Sequence, residues 1–526
     1  MILLIILSAL AVSLPNAFES GPVWPDGERY TFNGILIHDM IRDGGFSAPY
    51  KYAVDFYVRY PATNLPYGPP FLAIIFAAFF SVFGISFAVA RFIIAFFTVC
   101  AGLMCFFFVL RTRDNLLQAI LAVSALLFNP LTGIYARDIV PELPVAFFSF
   151  LTLYCFYHYV EEKKKMYGIF AALALGLGYL TKPYIIPLGL ILPVYIFVFR
   201  KWHIFLQKET YIASSIFLFL VLPQTFLAYK FATNELGAIG VRSNVPVEIL
   251  SEYALLLIKH LPVIVIVSVV GFISDFIRKE KINFLCFLWF ISAYLFFTLN
   301  ITNAIDNKYL FSIAVALLIP FSTGAYYIIT SLKKWRLDKI ALIMLSVWFV
   351  YSAISSPLYC VTGHEKAGEY VAEHPFGKSV LYYGSYNGTF MMALRRHNPG
   401  GGPFILRGDR QLAVRVSYGN AKEHSIVDSS DEIISILKKY DTGYVVVEKD
   451  AAWAQKFPEY ILLLNTVNNK KLFMEVKRFP IRSNYSKLGT ELIIYKTLFD
   501  FSNKSTKTKF TVPVPTLNRN LETVIH

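Results

Sequence analysis

Charge is scarce in this chain. Only 16% of its 526 residues are Asp, Glu, Lys or Arg, against about 25% in soluble domains. That deficit excludes an ordinary soluble protein of this size. Cysteine is scarce too: Cys100, Cys105, Cys155, Cys286 and Cys360 are the five present. No two of them form a C-x-x-C pair, so the sequence offers no disulfide framework, structural zinc–cysteine site or dithiol redox centre. Internal repeats and long low-complexity tracts are missing as well, which argues against a solenoid or a transporter built of two related halves.

Apolar residues are what the chain has, at 56%, with 48 Phe and 33 Tyr. They fall in long runs, as lipid-facing helices and interfacial belts require. Met1–Phe18 has no Lys or Arg before it and no clear cleavage site after it, so an uncleaved first span is expected rather than a signal peptide. Further runs cover Phe87–Leu110, Leu116–Ile134, Leu143–Val160, Tyr167–Leu180, Tyr184–Phe199, Tyr211–Phe231, Tyr253–Ile277, Phe284–Leu299, Tyr309–Leu332 and Ile340–Leu358.

The formal net charge of +14 would suggest nucleic acid in a soluble protein. Here its placement gives another reading. Basic clusters stand at Arg111/Arg113, Lys163–Lys165, Arg200/Lys201/Lys208, Arg278/Lys279/Lys281 and Lys333/Lys334/Arg336/Lys339, at every second connection. The positive-inside rule puts them on the cytoplasmic side, provided that the short run Phe71–Ile85 does not cross. About eleven spans then follow, with the amino terminus inside and the carboxyl-terminal region outside. The bilayer is a partner and nucleic acid is not. The Tyr-rich stretch Tyr30–Pro66 reads as an outer loop carrying amphipathic surface helices.

After Leu358 the composition changes. Four short buried strands are expected at Ser379–Gly384, Phe404–Leu406, Gly443–Glu448 and Glu491–Lys496, and a helix at Ser430–Tyr440. The expected fold class is therefore a polytopic all-α membrane domain, residues 1–358, followed by a small α/β extracytoplasmic domain, residues 359–501. The polar stretch 502–526 reads as a flexible tail.

This topology gathers the remaining acids and bases on one face. Asp26, Glu28 and Arg29 follow the first apolar run; Arg137, Asp138 and Glu142 share a loop; Lys182 stands in a Thr-Lys-Pro turn; the outer loop at 233–252 carries Arg242; and Lys308 ends the stretch from Asn303. Carboxylates beside cations at a membrane surface suit transfer from a sugar on a polyprenyl phosphate. Attack at the anomeric carbon needs a general base. Cations must meet the charge that develops on the departing phosphate. Asp26 is the candidate base. Arg29, Lys182, Arg137 and Lys308 are the candidate phosphate ligands.

Asp26-Gly27-Glu28-Arg29-Tyr30 resembles the D-E-x-R-Y motif of the C-type, polyprenyl-phosphate-sugar-dependent glycosyltransferases. Within them the chain is most similar to the lipid A aminoarabinose transferase and protein O-mannosyltransferase families. Tyr67-Gly68-Pro69-Pro70-Phe71 with Val82-Phe83-Gly84 resembles the K-P-P-L…F-G stretch, and Arg91 resembles the Arg that opens the next span. Tyr135-Ala136-Arg137-Asp138 with Pro141-Glu142 resembles the second acidic motif. Leu180–Pro183 and Asn307–Tyr309 resemble family turns. The resemblance spans residues 1–358 and implies a multi-pass glycosyltransferase of the bacterial plasma membrane, with a polyprenyl-phosphate-linked sugar as donor. It also implies supporting catalytic roles for Asp138 and Glu28, and places Tyr30 and Tyr67 at the site. Two departures stand out. Gly27 replaces the second acid, with Glu28 one place later, and Gly68 replaces the family's Lys before Pro-Pro.

Other readings stay open. A divalent metal would draw on Asp26, Glu28, Asp138, Glu142 and His260, although no ligand spacing demands one. His260, one turn inside a span, could simply be a packed polar residue. Asp138 and Glu142 could favour a helix amino terminus, Lys182 could snorkel, and Lys308 could be an interfacial anchor. A polytopic transporter or flippase of lipid-linked sugars is the alternative function. Lipid, glycan and protein acceptors are all compatible with the sequence.

Overall fold

Each apolar run of the sequence is helical, because a chain in lipid must satisfy its own backbone groups. The computed structural model describes residues 1–18, 21–64, 67–231, 247–300, 307–415, 423–485, 488–500, 508–514 and 519–525. Arg242 and residues 303–306, which the sequence puts on the outer face, lie outside this set. Four described helices are long and apolar enough to cross a membrane: Phe87–Arg113, Glu142–Val160, Lys208–Phe231 and Lys281–Leu299. Two bent pairs, with breaks of 105° and 56°, raise the number among the described residues to six. The count of about eleven rests on the charge pattern, since the other apolar helices run only 10–17 residues.

The sharper bend follows from Pro262, the first residue of the helix Pro262–Arg278. It lacks the N–H that would have continued the helix Val247–His260. Pro262–Arg278 then packs against Leu318–Leu332 at unusually close range. A Cβ on Gly271 would stand 1.9 Å from the Pro320 carbonyl oxygen, and one on Gly324 2.0 Å from that of Val267. Only glycine admits this approach, the small-residue packing that joins helices in lipid.

The first outer loop forms two helices, Pro25–Arg42 and Pro49–Arg59. The short apolar helix Phe71–Phe83 buries Leu72, Ala73, Phe76, Ala77 and Phe80 and packs on Pro25–Arg42.

Beyond residue 360 a five-stranded sheet forms in the order Phe404–Arg407, Ser379–Tyr383, Thr442–Lys449, Glu491–Thr497, Phe473–Pro480. The first three strands are parallel and the last two join antiparallel. Alternation along the strands splits the core. Val380, Tyr382, Val446 and Ile494 meet the helices His364–Glu373 and Asn387–His397 and are continuous with the membrane core. Leu381, Tyr383, Val445 and Ile493 form a separate cluster with Ile433, Leu437 and Leu463. Both faces are thus covered, as parallel strands require.

One expectation needs correction. Within residues 502–526, taken from their polarity as a flexible tail, Thr508–Val514 and Arg519–Ile525 pair as an antiparallel hairpin. Phe510, Val512 and Val514 alternate inward and are buried. Phe510 stacks on Phe404 with ring centroids 4.2 Å apart. Composition hid a period of two that places one apolar face on the domain.

Candidate active site

The helix Pro25–Arg42 begins where the chain leaves the first apolar helix, Ile2–Ser13. Pro25 starts it favourably, because the missing N–H would have lacked a partner anyway. Asp138 aims the entering chain. Its carboxylate accepts from the backbone N–H groups of Val23 at 3.2 Å and Trp24 at 2.8 Å. It also accepts from Ile139 at 2.8 Å. Burial raises the Asp138 carboxyl, opposed by Arg91 and these three amides. Arg91 donates to the carbonyls of Ala17 at 3.2 Å and Gly21 at 2.7 Å. Two buried ionic side chains therefore set the direction in which the first turn of this helix points.

That first turn puts Asp26 into a narrow cleft lined also by Trp24, Tyr30, Tyr135, Glu142, Lys182 and Lys308. Lys308 Nζ stands 3.3 Å from Asp26 Oδ2, and Arg29 lies 3.8 Å from Oδ1. On the far wall Lys182 Nζ donates to Glu142 Oε1 at 2.5 Å and lies 4.3 Å from the centre of the Tyr184 ring. Tyr184 donates to the Tyr309 hydroxyl at 3.1 Å. Lys308, Arg29 and Lys182 thus gather around Asp26 and Glu142.

The electrostatics follow this arrangement. Burial pushes the Asp26 carboxyl up, but Lys308, Arg29 and Lys182 outweigh it and hold the group below the usual carboxylate range. Burial holds Lys182 below the usual lysine range, with Glu142 opposing and Lys308 adding. Burial, then the charges of Asp26 and Glu142, pushes Tyr30 well up, so its hydroxyl remains a donor.

Five sequence-predicted residues thus converge with Arg29 at the edge: Asp26, Tyr30, Glu142, Lys182 and Lys308. Others do not. Glu28 turns away from the cleft. It accepts from the backbone N–H groups of Gly388 at 3.1 Å and Thr389 at 2.7 Å, and from the Thr389 hydroxyl at 2.7 Å. It caps the outer-domain helix Asn387–His397, and its two oxygens are spent there. Arg137 serves as a backbone tie: it donates to the carbonyls of Val12 at 2.9 Å, Ser356 at 3.2 Å and Pro357 at 3.3 Å. Tyr67 offers Gln224 its carbonyl at 2.6 Å. His260 ends its helix at the 105° bend and does not line the cleft. Tyr184 and Thr389 are the residues that sequence reasoning missed. Tyr184 follows the Lys182-Pro183 turn and was within reach of inference; Thr389 was not.

The donor set also bears on a metal. Among the described residues no three His, Cys, Asp or Glu groups gather to hold one. Asp26 and Glu142 face ammonium groups, while Glu28 and Asp138 face backbone amides, so the four acids do not fit a shared ion.

The Asp138 clamp gives a first prediction. Asp138→Asn keeps the shape but replaces one acceptor oxygen with a donor facing backbone N–H groups. Displacing a catalytic group by about 1 Å can cost up to 10²-fold, so turnover should fall by roughly 10-fold or more. The measurement is sugar transfer by detergent-purified protein. A normal rate would show that this clamp does not aim Asp26.

Comparison with known proteins adds three findings. Residues 67–226 match the family model described as dolichyl-phosphate-mannose-protein mannosyltransferase. An uncharacterized protein of Aquifex aeolicus (strain VF5) is 28% identical over 313 residues, covering 55% of this chain and 60% of that protein. The chain therefore spans somewhat less than two thirds of that relative's length. ArnT from Cupriavidus metallidurans shares the fold. Its apo structure aligns with a TM-score of 0.62 at 14% identity, over 94% of this chain and 97% of ArnT. The structure of ArnT bound to undecaprenyl phosphate aligns at 0.58 over the same shares. The likeness to C-type glycosyltransferases that the motifs carry is thus found again by a family model and by the fold.

Proposed function

We propose, from a membrane chain with the ArnT fold and a mannosyltransferase-family segment, that it transfers a sugar from a polyprenyl-phosphate carrier to an acceptor hydroxyl on the extracytoplasmic face. The observation that carries the reading is Asp26 set 3.3 Å from Lys308 in a cleft shared with the Lys182–Glu142 pair. One carboxylate is placed to take a proton and two ammonium groups are placed to meet a phosphate. The solved neighbour that binds undecaprenyl phosphate supports the same class of carrier.

In this reading the carrier phosphate enters between Lys182 and Lys308, with Arg29 at the edge. The acceptor oxygen attacks the anomeric carbon as its proton passes to Asp26. The bond from that carbon to the phosphate oxygen breaks, and the released polyprenyl phosphate keeps the electron pair. Lys182 and Lys308 stabilise that charge as point charges. Tyr30 remains protonated and can donate to the sugar or the phosphate. Gly68 cannot supply the family's phosphate-binding lysine, and the cleft lysines take that part.

The test is transfer by the purified chain from polyprenyl-phosphate sugars to acceptors in an envelope extract, followed by mass spectrometry. Loss of the same product from cells lacking the chain would agree. Absence of transfer from each carrier sugar, with the protein folded, would end the proposal. The topology has its own test. Lys470 is exposed in the outer domain, and Lys470→Cys should react with an impermeant thiol reagent in intact cells, or in spheroplasts if there is an outer membrane. Reaction only after lysis would place the domain inside.

A further inference from the structure

The outer domain carries two more arginines at its seam with the outer loop. Arg407 ends the strand Phe404–Arg407, and Arg410 lies in the single turn Gly408–Gln411 that follows. Arg407 binds Asp409 with both arms of its fork, at 3.0 and 2.6 Å, and donates to the Pro61 carbonyl of the outer loop at 3.1 Å. Arg410 reaches the same Asp409 only at 3.8 Å. Among the described residues that is the one carboxylate within ion-pair distance of either. One terminal nitrogen of Arg410 is buried without a hydrogen-bond partner there. Arg29, which faces Asp26, is within electrostatic reach of both arginines.

A guanidinium this enclosed is costly unless paired. The side chains of Arg407 and Arg410 are only 16% and 14% exposed, yet they share one carboxylate already held in a two-pronged grip. Arginine stays charged in proteins, so Arg407, Arg410 and Asp409 together carry a net positive charge, met at longer range by the buried Glu28 carboxylate. The forked donors suit a planar carboxylate or a phosphate. Burial, then the charge of Arg407, lowers the affinity of Arg410 for its own proton, as expected of an unneutralised site.

We propose that Arg407 and Arg410 form a second anion site, which holds a phosphate or carboxylate group of the acceptor. This rests on the transferase reading above and extends it to the substrate. An acceptor held by its acid group on Arg407 and Arg410 would present a neighbouring hydroxyl to Asp26, while the carrier phosphate occupies Lys182 and Lys308. The glycosylated molecule is then an acidic one, and the outer domain selects it.

Thermal melting of the purified full chain tests this without any donor. Inorganic phosphate, compared with chloride at equal ionic strength, should raise the melting temperature. Arg410→Gln should weaken that response by about 10-fold in phosphate concentration, the usual effect of losing one charged hydrogen bond. Lys182→Gln, which disables the carrier-phosphate site, should still show a phosphate response, and adding Arg410→Gln to it should abolish what remains. Without phosphate, Arg410→Gln should melt no lower than the parent, since it removes an unpaired charge. A second arm with glucuronate tells a carboxylated acceptor from a phosphorylated one. An unchanged response in Arg410→Gln, or none in the parent, would overturn the proposal. So would a lower melting temperature in both Arg410→Gln and Arg410→Lys, which would make Arg410 a structural cation. Since no sugar transfer is read, failure here is separate from failure of the transferase reading.

Discussion

Asp26→Asn will leave the protein folded and its carrier bound while turnover falls by about 10²- to 10⁴-fold, the usual contribution of a general base. The amide keeps the size of the carboxyl but cannot take a proton. Folding should hold because the Asp26 side chain is half-buried at the cleft mouth, 40% exposed, and its ion pairs with Lys308 and Arg29 are long, at 3.3 and 3.8 Å; loose pairs of this kind contribute little to stability. The pH dependence carries a second signature. Without the carrier, burial raises the Asp26 carboxyl but Lys308, Arg29 and Lys182 hold it down. Activity needs the ionised form, so it is lost as pH falls through the folded value. The stability that these cations lend Asp26 is likewise present above the unfolded carboxylate value and lost as pH falls through the folded one. A carrier phosphate arriving at Lys182 and Lys308 offsets those cations and raises the carboxyl. The acid limb of kcat, which reports the loaded enzyme, should therefore lie at higher pH than that of kcat/KM. Near-normal turnover in Asp26→Asn, or coincident limbs, would remove Asp26 as the base and leave Glu142 as the carboxylate still in the cleft.

The membrane helices were legible because lipid forces a simple pattern: a run apolar on all sides, ended by charge. The strands Ser379–Tyr383, Phe404–Arg407 and Thr442–Lys449 were legible for a related reason, since buried parallel strands read as short apolar runs, and the antiparallel Glu491–Thr497, buried beside them, reads the same way. The strand Phe473–Pro480 was not. Glu475, Lys477 and Arg478 make it look like a loop, yet charge is what protects an edge strand from pairing with other chains. At the cleft, Asp26 could be named from its place after the first apolar helix. Its partner Lys308 is 282 residues away, and only the fold brings the two together.

The residues that the structure places away from the cleft share one cause. Glu28 looked like a displaced catalytic acid because it stands two residues after Asp26. On a helix that spacing turns it about 200° away from Asp26, toward the amides of Gly388 and Thr389. Arg137 and Lys182 each looked like a cation beside an acid. Their roles diverge because three backbone carbonyls converge on Arg137 and Glu142 converges on Lys182. A sequence states which groups are present. It does not state which distant backbone ends need a partner, and those ends claimed Glu28, Asp138 and Arg137.

Those claims tie the outer domain to the helix that bears Asp26, and the second large effect is expected there. Arg395 donates to Asp39 through Nε at 2.8 Å and Nη2 at 2.5 Å, with both side chains only 3% exposed. With the Glu28 cap, this pins the helix Asn387–His397 to Pro25–Arg42 at two points. Arg395→Met would leave Asp39 buried with only His38 at 2.9 Å and Arg42 at 3.4 Å to answer its charge. Breaking one side of a buried pair costs about 3–5 kcal/mol, and these neighbours should keep the loss near the lower figure. Replacing both partners, as Asp39→Leu with Arg395→Met, should recover most of it, since an apolar pair leaves no stranded charge. Thermal melting and limited proteolysis of the two variants measure this. Turnover should drop less than in Asp26→Asn, because Asp39 sits thirteen residues, about 20 Å, along the helix from Asp26. If the single and double variants were equally unstable, the pair would matter for its shape and not for its charge. If neither lost stability, the outer domain would be held to the membrane body by the Glu28 cap and the apolar face of its sheet alone.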